Sequence, residues 1–263
     1  MLWIVVLLGI VEGLTEFLPV SSTGHLILVG HWIGFTGDAA NTFEIVIQLG
    51  AILAVVWEYR HELIQRTFTL GSDPDSRRYY WNVIVAFVPA AILGFIFHET
   101  LKEHLFTPRN VALALIVGAV LIYVVEMLHL QPRTRAVERL SFAQSLGVGL
   151  AQCAALFPGF SRSAATILGG LLVGLDRPTA ARFSFLLAIP TILGATVLDL
   201  VRSSAGLQPA DYFWIVVGFV VSFVAAWGAV RWFLRFVSHH SLRVFAVYRL
   251  ILGCVVLYVL RST

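Results

Sequence analysis

Phe157-Pro158-Gly159-Phe160-Ser161-Arg162-Ser163-Ala164-Ala165-Thr166 sets hydroxyls and a guanidinium between two apolar runs, residues 145–156 and 167–175. Runs of about ten residues, at about 1.5 Å rise per residue, cover roughly half of a bilayer's hydrocarbon core. Pro158-Gly159 breaks the helix between them. A backbone broken at that depth must line a cavity enclosed by protein or filled with water. An arginine there is costly unless compensated, and is read first as functional. A second stretch has the same design: Glu12-Gly13-Leu14-Thr15-Glu16-Phe17-Leu18-Pro19-Val20-Ser21-Ser22-Thr23-Gly24-His25 lies between the short apolar runs 2–11 and 26–35. Each pair of runs reads as a re-entrant helical hairpin; the plainer alternative is two kinked spans, 2–35 and 145–175.

The rest of the chain agrees with a membrane setting. Of its 263 residues, 59% are hydrophobic and 13% charged, and the mean hydropathy is +0.87. Soluble domains carry roughly 25% charged residues. The apolar segments do not alternate with polar residues, which selects helices over a barrel. Six of them are long enough to cross: 43–57, 81–97, 111–130, 183–198, 212–230 and 244–260. No cationic region precedes run 2–11, so a cleaved signal peptide is not expected. The net charge of +3 comes from arginines scattered through short loops, as orientation signals are, and nucleic-acid binding is not expected. Cys153 and Cys254 lie in apolar runs without metal-ligand spacing and read as reduced packing residues.

The two halves resemble each other. Adding 140 to the position takes Gly9 to Gly149, Glu12 to Gln152, Phe17 to Phe157, Ser21 to Ser161, Gly30 to Gly170 and Phe43 to Phe183. With a short gap, Gly118 and Tyr123 meet Gly253 and Tyr258. The expectation is one membrane domain, 1–263, made of repeat units 1–130 and 141–263. Each unit holds one hairpin and three spans, an odd number, so the second must be inverted. Arginine placement agrees. Loops 58–80, 131–142, 176–182 and 231–243 hold most of the arginines, whereas the other side has Lys102, Arg109, Arg202 and Arg261. The positive-inside rule then puts the first group in the cytoplasm and both termini outside.

Glu12 and Glu16 are four apart and share a helical face. Carboxylates so close should hold a divalent cation, share a proton or face a strong cation. Ser21, Ser22 and Thr23 offer caps for the next half-helix, whose first-turn amides favour an anion. His25, in that first turn, reads as a proton shuttle or as a hydrogen-bonded packing residue. In the second cluster Ser161 is placed to cap, Arg162 stands in the first turn, and Ser163 and Thr166 lie near one another. Arginine's planar fork suits phosphate oxygens. Arg249, a second intramembrane cation, either joins the phosphate site or pairs with Glu44, Glu126 or Asp199. Gln48, one turn after Glu44, faces the cavity or packs.

The stretches 12–25 and 158–166, with Phe43-Glu44-Ile45-Val46-Ile47-Gln48-Leu49-Gly50, resemble the signature motifs of the undecaprenyl-diphosphate phosphatases, the bacitracin-resistance membrane enzymes. The resemblance implies removal of the terminal phosphate from a polyprenyl diphosphate lipid in the bacterial plasma membrane. It returns the monophosphate carrier to cell-wall synthesis, needs a divalent cation (Mg²⁺ or Ca²⁺), and has its active site open to the outer face. It also implies catalytic roles for Glu12, Glu16, Ser22, His25 and Arg162. Ser161, Ser163 and Thr166 would line the phosphate pocket, and Ser21, Thr23, Gln48 and Arg249 are further candidate substrate contacts. The family tolerates glutamine at the first acidic position, so Glu16 should matter more than Glu12. Ser22 as nucleophile and direct attack by water both remain open. So does a different class, a lipid-phosphate flippase or anion transporter built on the same inverted repeat.

Overall fold

The computed structural model describes residues 1–35, 37–105, 107–202 and 209–262. The helices run α1 (Leu2–Thr15), α2 (Ser22–Ile33), α3 (Asp38–Glu58), α4 (Arg60–Phe68), α5 (Pro74–Leu105) and α6 (Pro108–Met127). They continue with α7 (Phe142–Gln152), a 3₁₀ turn Cys153–Leu156, α8 (Arg162–Leu172), α9 (Arg177–Arg202), α10 (Pro209–His239) and α11 (Arg243–Ser262). Among the described residues there is no strand, only an isolated parallel bridge between Thr134 and Leu175. The chain is thus all-helical, as the absence of alternation required.

Among the described residues, five stretches are long and apolar enough to cross a membrane: Pro74–Phe97, Pro108–Met127, Arg177–Asp199, Tyr212–His239 and Arg243–Arg261. Thr42–Glu58 and Arg60–Phe68 make a sixth if taken as one span, but the chain bends by 67° between them. The loop expected after residue 57 is therefore a helix, α4, that turns off the bundle. Leu2–Thr15 and Phe142–Leu156 are apolar and short. The arms of each broken pair pack on one another, α1 on α2 and α7 on α8.

The breaks have one cause at both places. Ser21 (φ 73°, ψ 96°) and Ser161 (φ 78°, ψ 119°) stand in a backbone region that side-chain-bearing residues rarely adopt. Each then caps the helix that follows: Ser21 Oγ accepts from Gly24 N and Ser161 Oγ from Ala164 N, both at 3.2 Å. Proline at 19 and Pro158-Gly159, with Gly159 at φ 91°, stop the incoming helix.

First arms pair across the halves. The helix α1 lies along α10, and α7 lies along α5; α3 contacts α10 and α9 contacts α5, while α6 packs on α11. The matched glycines mark the crossings. A Cβ on Gly9 would come within 2.8 Å of Gly218 O, and one on Gly149 within 2.6 Å of Ala86 O. The core between the halves is aromatic, with Phe17 edge-on to Phe185 at 5.3 Å. Outward faces expose Trp81, Ile84 and Ile92 on α5 and Val216, Val220 and Val224 on α10, as helices in lipid do.

The arginine-bearing loops meet at one end of the bundle. Arg182 pairs with Glu62, Arg66 with Glu138 at 3.6 Å, and Arg78 Nε donates to Leu140 O at 3.1 Å. Glu126 accepts from Arg177 at 2.8 and 2.5 Å and from Leu242 N at 3.0 Å. The side chains of Lys102 and Arg202, and Thr263, lie outside the described residues.

Candidate active site

The two broken tips converge on one carboxylate. Glu16, just past the end of α1, accepts from Arg162 Nη2 at Oε1 (3.0 Å) and from the Ser22 hydroxyl at Oε2. Ser22 and Arg162 each open a half-helix, α2 and α8. Arg162 is braced from α9, where Nη1 donates to Ser184 O at 2.9 Å and to Ser184 Oγ at 3.3 Å. Its guanidinium carbon sits 5.6 Å from the Phe17 ring centre, and its Nε has no partner among the described residues. A donor thus remains uncommitted on a cation that protein contacts already aim.

A cavity of about 210 Å³ opens over this cluster, lined by Glu16, Ser21, Ser22, Thr23, Gln48, Ser161 and Arg162. The chain from Ala155 to Gly159 and the α9 residues Thr191, Ile192 and Ala195 complete the wall. At about 30 Å³ per water, this has room for a phosphate-sized head with some water. The N-termini of α2 and α8 both contribute residues to it, and their unpaired amides and dipoles favour negative charge.

Other expected site residues sit behind the wall. Ser163 Oγ donates to Leu18 O at 2.7 Å, joining one tip to the other. Thr166 Oγ1 lies 2.8 Å from Arg162 O, which accepts its hydrogen, and 2.7 Å from the Ser184 hydroxyl, beneath the arginine. Both are buried and neither lines the cavity. His25 also turns away from it: Nδ1 is 2.7 Å from Ser21 O and Nε2 is 2.6 Å from Tyr248 OH. Arg249 is fully buried and reaches main-chain carbonyls rather than the cavity, while Glu126 takes Arg177 instead. None of Ser163, Thr166, His25 and Arg249 lines the cavity.

Glu12 is buried one turn before Glu16, with Oε1 unpartnered among the described residues. No group of three or more His, Cys, Asp or Glu side chains occurs among the described residues. A cation held by one or two carboxylates, with phosphate oxygens and water completing its shell, fits this donor set. Glu12 Oε1 is unpartnered among the described residues but does not line the cavity, whereas Glu16 does and each of its oxygens keeps a second lone pair.

Ser184 and Thr191 are functional neighbours that the motifs did not point to. Each is a hydroxyl in the apolar run 183–198, and Ser184 stands 140 positions after Glu44. Polar residues at depth were the available signal.

A helical, multi-pass membrane protein whose two broken tips present a serine, a carboxylate and an arginine to an anion-sized cavity is the class these features define. The family described as bacitracin resistance protein BacA matches residues 5–255, and the chain belongs to that family. It is 50% identical over 254 residues to the undecaprenyl-diphosphatase of Aromatoleum aromaticum, covering 97% of this chain and 93% of that protein. Undecaprenyl-diphosphatase 3 of Acinetobacter baylyi is 48% identical over 255 residues, with 96% of each chain covered. The undecaprenyl-diphosphatase of Cupriavidus necator is 49% identical over 272 aligned positions, covering 96% of this chain and 93% of that one.

Proposed function

We propose that this protein is a membrane undecaprenyl-diphosphate phosphatase that releases inorganic phosphate and returns undecaprenyl phosphate to cell-wall synthesis. Hydrolysis of that diphosphate is the basis of bacitracin resistance in this reading. One observation carries it beyond the relatives' names: Glu16 binds the Ser22 hydroxyl and the Arg162 guanidinium at once, in the lining of a cavity with room for an anion. A flippase or anion carrier needs no hydroxyl seated on a carboxylate.

Phosphoryl transfer requires in-line placement and neutralised charge on the moving oxygens. Arg162 and the α2 and α8 N-termini bind the terminal phosphate. Ser22 Oγ attacks its phosphorus while its proton passes to Glu16 Oε2, the oxygen to which the hydroxyl already donates. The bond from phosphorus to the bridging oxygen breaks, and the lipid monophosphate leaves with that oxygen. Glu16 passes that proton to the departing monophosphate. Water then attacks the phosphoserine, its proton going to Glu16 and on to Ser22 Oγ as the bond from phosphorus to Oγ breaks and phosphate leaves. Glu16 serves as base in place of His25, whose ring nitrogens are occupied by Ser21 O and Tyr248. A bound Mg²⁺ or Ca²⁺ would supply further neutralisation of the diphosphate oxygens, with Glu12 and Glu16 as its protein ligands.

We also propose the orientation: six spans and two re-entrant hairpins, inverted between units 1–130 and 141–263, with both termini extracytoplasmic. The crossed pairing of α1 with α10 and α7 with α5 supports it. Thr191, Ile192 and Ala195 lie in the half of α9 remote from its arginine-rich start, which supports a cavity open to the outer face. A long prenyl tail would stay in lipid while its head enters.

Phosphate release by detergent-purified protein from a long-chain prenyl diphosphate, with and without EDTA, tests the reading. Release that EDTA stops is expected. Release that survives EDTA removes the cation and leaves the phosphatase. No release under any divalent metal from folded protein overturns the function in favour of transport.

A further inference from the structure

Neighbouring side chains on α11, Tyr248 and Arg249, reach both broken tips from behind the cavity. Arg249 Nη1 donates to Pro19 O at 3.1 Å and Phe160 O at 2.8 Å; Nη2 donates to Gly159 O and Ala114 O, both at 3.1 Å; Nε donates to Leu115 O at 3.3 Å. One guanidinium thus ties the first tip, the second tip and α6 together. All its hydrogen bonds among the described residues go to main-chain carbonyls. Gly118 on α6 leaves the space, since a Cβ there would run into the guanidinium. A buried cation needs such solvation, and broken helices leave carbonyls that need donors. Tyr248 acts on the first tip through His25. Ser21 O can only accept, so Nδ1–H donates to it (2.7 Å) and neutral His25 keeps Nε2 as acceptor for Tyr248 OH (2.6 Å).

These contacts end at the residues that need holding. Ser21 and Ser161 stand at φ 73° and 78°, and the nucleophile Ser22 and the cation Arg162 follow them directly. Strained backbone of this kind persists only where its surroundings over-determine it. The geometry points to Tyr248 and Arg249 as positioning residues: a clamp on α11 that holds the strained tips so that Ser22 and Arg162 share Glu16. Neither residue lines the cavity. The kinetic part of this inference rests on the phosphatase reading; the structural part does not.

The test is hydrogen–deuterium exchange of detergent-solubilised wild type, Arg249→Lys and Tyr248→Phe, alongside phosphate release. Arg249→Lys keeps the charge and loses the fork, so amides of 16–24 and 157–165 should exchange at least about tenfold faster, as expected for losing one or more charge-assisted hydrogen bonds. Its kcat should fall about 100-fold or more while KM changes less than about threefold, because what is lost is alignment. Tyr248→Phe, a milder change, should loosen 21–25 and leave 157–165 as in wild type, with a fall in kcat of about tenfold or less. Faster exchange confined to α6 and α11 would overturn the clamp, as would a rise in KM with kcat kept, the mark of a substrate contact. The exchange pattern decides the clamp whatever the substrate proves to be. Absence of turnover in the wild type would count against the phosphatase alone.

Discussion

From 19 to 22 and from 159 to 162 the backbone takes the same course: a stopped helix, a serine at positive φ, and a new helix capped by that serine's hydroxyl. What hangs on this shared course differs. Ser22 opens the first new helix and Arg162, 140 positions later, opens the second. Glu16 is matched by Leu156, and Glu12 by Gln152. The backbone of each tip supplies one helix N-terminus at the same cavity. The side chains divide the remaining labour, with hydroxyl and carboxylates on one tip and the fixed cation on the other. Two copies of the first tip would repel phosphate, and two of the second would bind it with no nucleophile.

The largest test of that division is removal of the group that only the first tip carries. Ser22→Ala should lower kcat by about 10⁴ or more, as loss of a nucleophile does. The matched change at the cap level, Ser161→Ala, should cost about 1 kcal/mol of stability and leave measurable turnover. Phosphate release and thermal melting of both variants check the pair. Near-normal kcat in Ser22→Ala would make water the nucleophile and reduce the serine to a ligand.

Next comes the cation. Arg162→Lys keeps one charge but cannot reach Glu16 Oε1 and Ser184 O together, as Nη2 and Nη1 now do. A fall in kcat of about 10²–10³ is expected, the cost of losing one preorganised donor at a developing charge. Retention of most activity would show that only net charge is needed at the second tip.

Glu12→Gln makes the first tip resemble the second, where Gln152 stands at that place. The change replaces an ionisable carboxyl whose Oε1 is buried and unpartnered among the described residues. Turnover at saturating Mg²⁺ should stay within a few-fold of wild type, while the half-saturating Mg²⁺ rises about 10- to 100-fold, as for other weakened metal shells. An unchanged Mg²⁺ dependence would take Glu12 out of the cation's shell.

Much of this arrangement was legible in the chain itself because it rests on local rules. Short apolar runs around Pro19 and Pro158-Gly159 required broken backbone; Ser161 read as a cap from spacing alone, and Ser21 was one of three candidates with Ser22 and Thr23. The six long apolar segments fall on the helices found, with one addition: α4, whose 67° bend after α3 no hydropathy pattern marks. The partners of His25 and Arg249 were not legible. Tyr248 lies 223 positions from His25, and the carbonyls around Arg249 come from residues 19, 114, 115, 159 and 160. Main-chain acceptors leave no trace in residue type, so an arginine satisfied by carbonyls looks in sequence like one waiting for phosphate. The places of Ser163 and Thr166 were hidden for a related reason. Helical spacing puts them near Arg162 but does not say which side of the wall they face.

The smallest expected effect tests whether the two halves are alike away from the chemistry. Gly9 and Gly149 each stand where a first arm crosses a long helix of the other half, α1 over α10 and α7 over α5. A Cβ would meet backbone oxygen at 2.8 Å in one and 2.6 Å in the other, so the helices themselves must separate. Gly9→Ala and Gly149→Ala should therefore each destabilise by about 1–3 kcal/mol, the range for overpacked sites. At about 2–4 °C of Tm per kcal/mol for a chain of this size, both melts should move down by similar amounts. KM should hardly change, since neither glycine lines the cavity. If one variant melts like wild type while the other collapses, the crossings are not equivalent. The likeness of the two halves would then end at the tips, where Ser21 and Ser161 hold it.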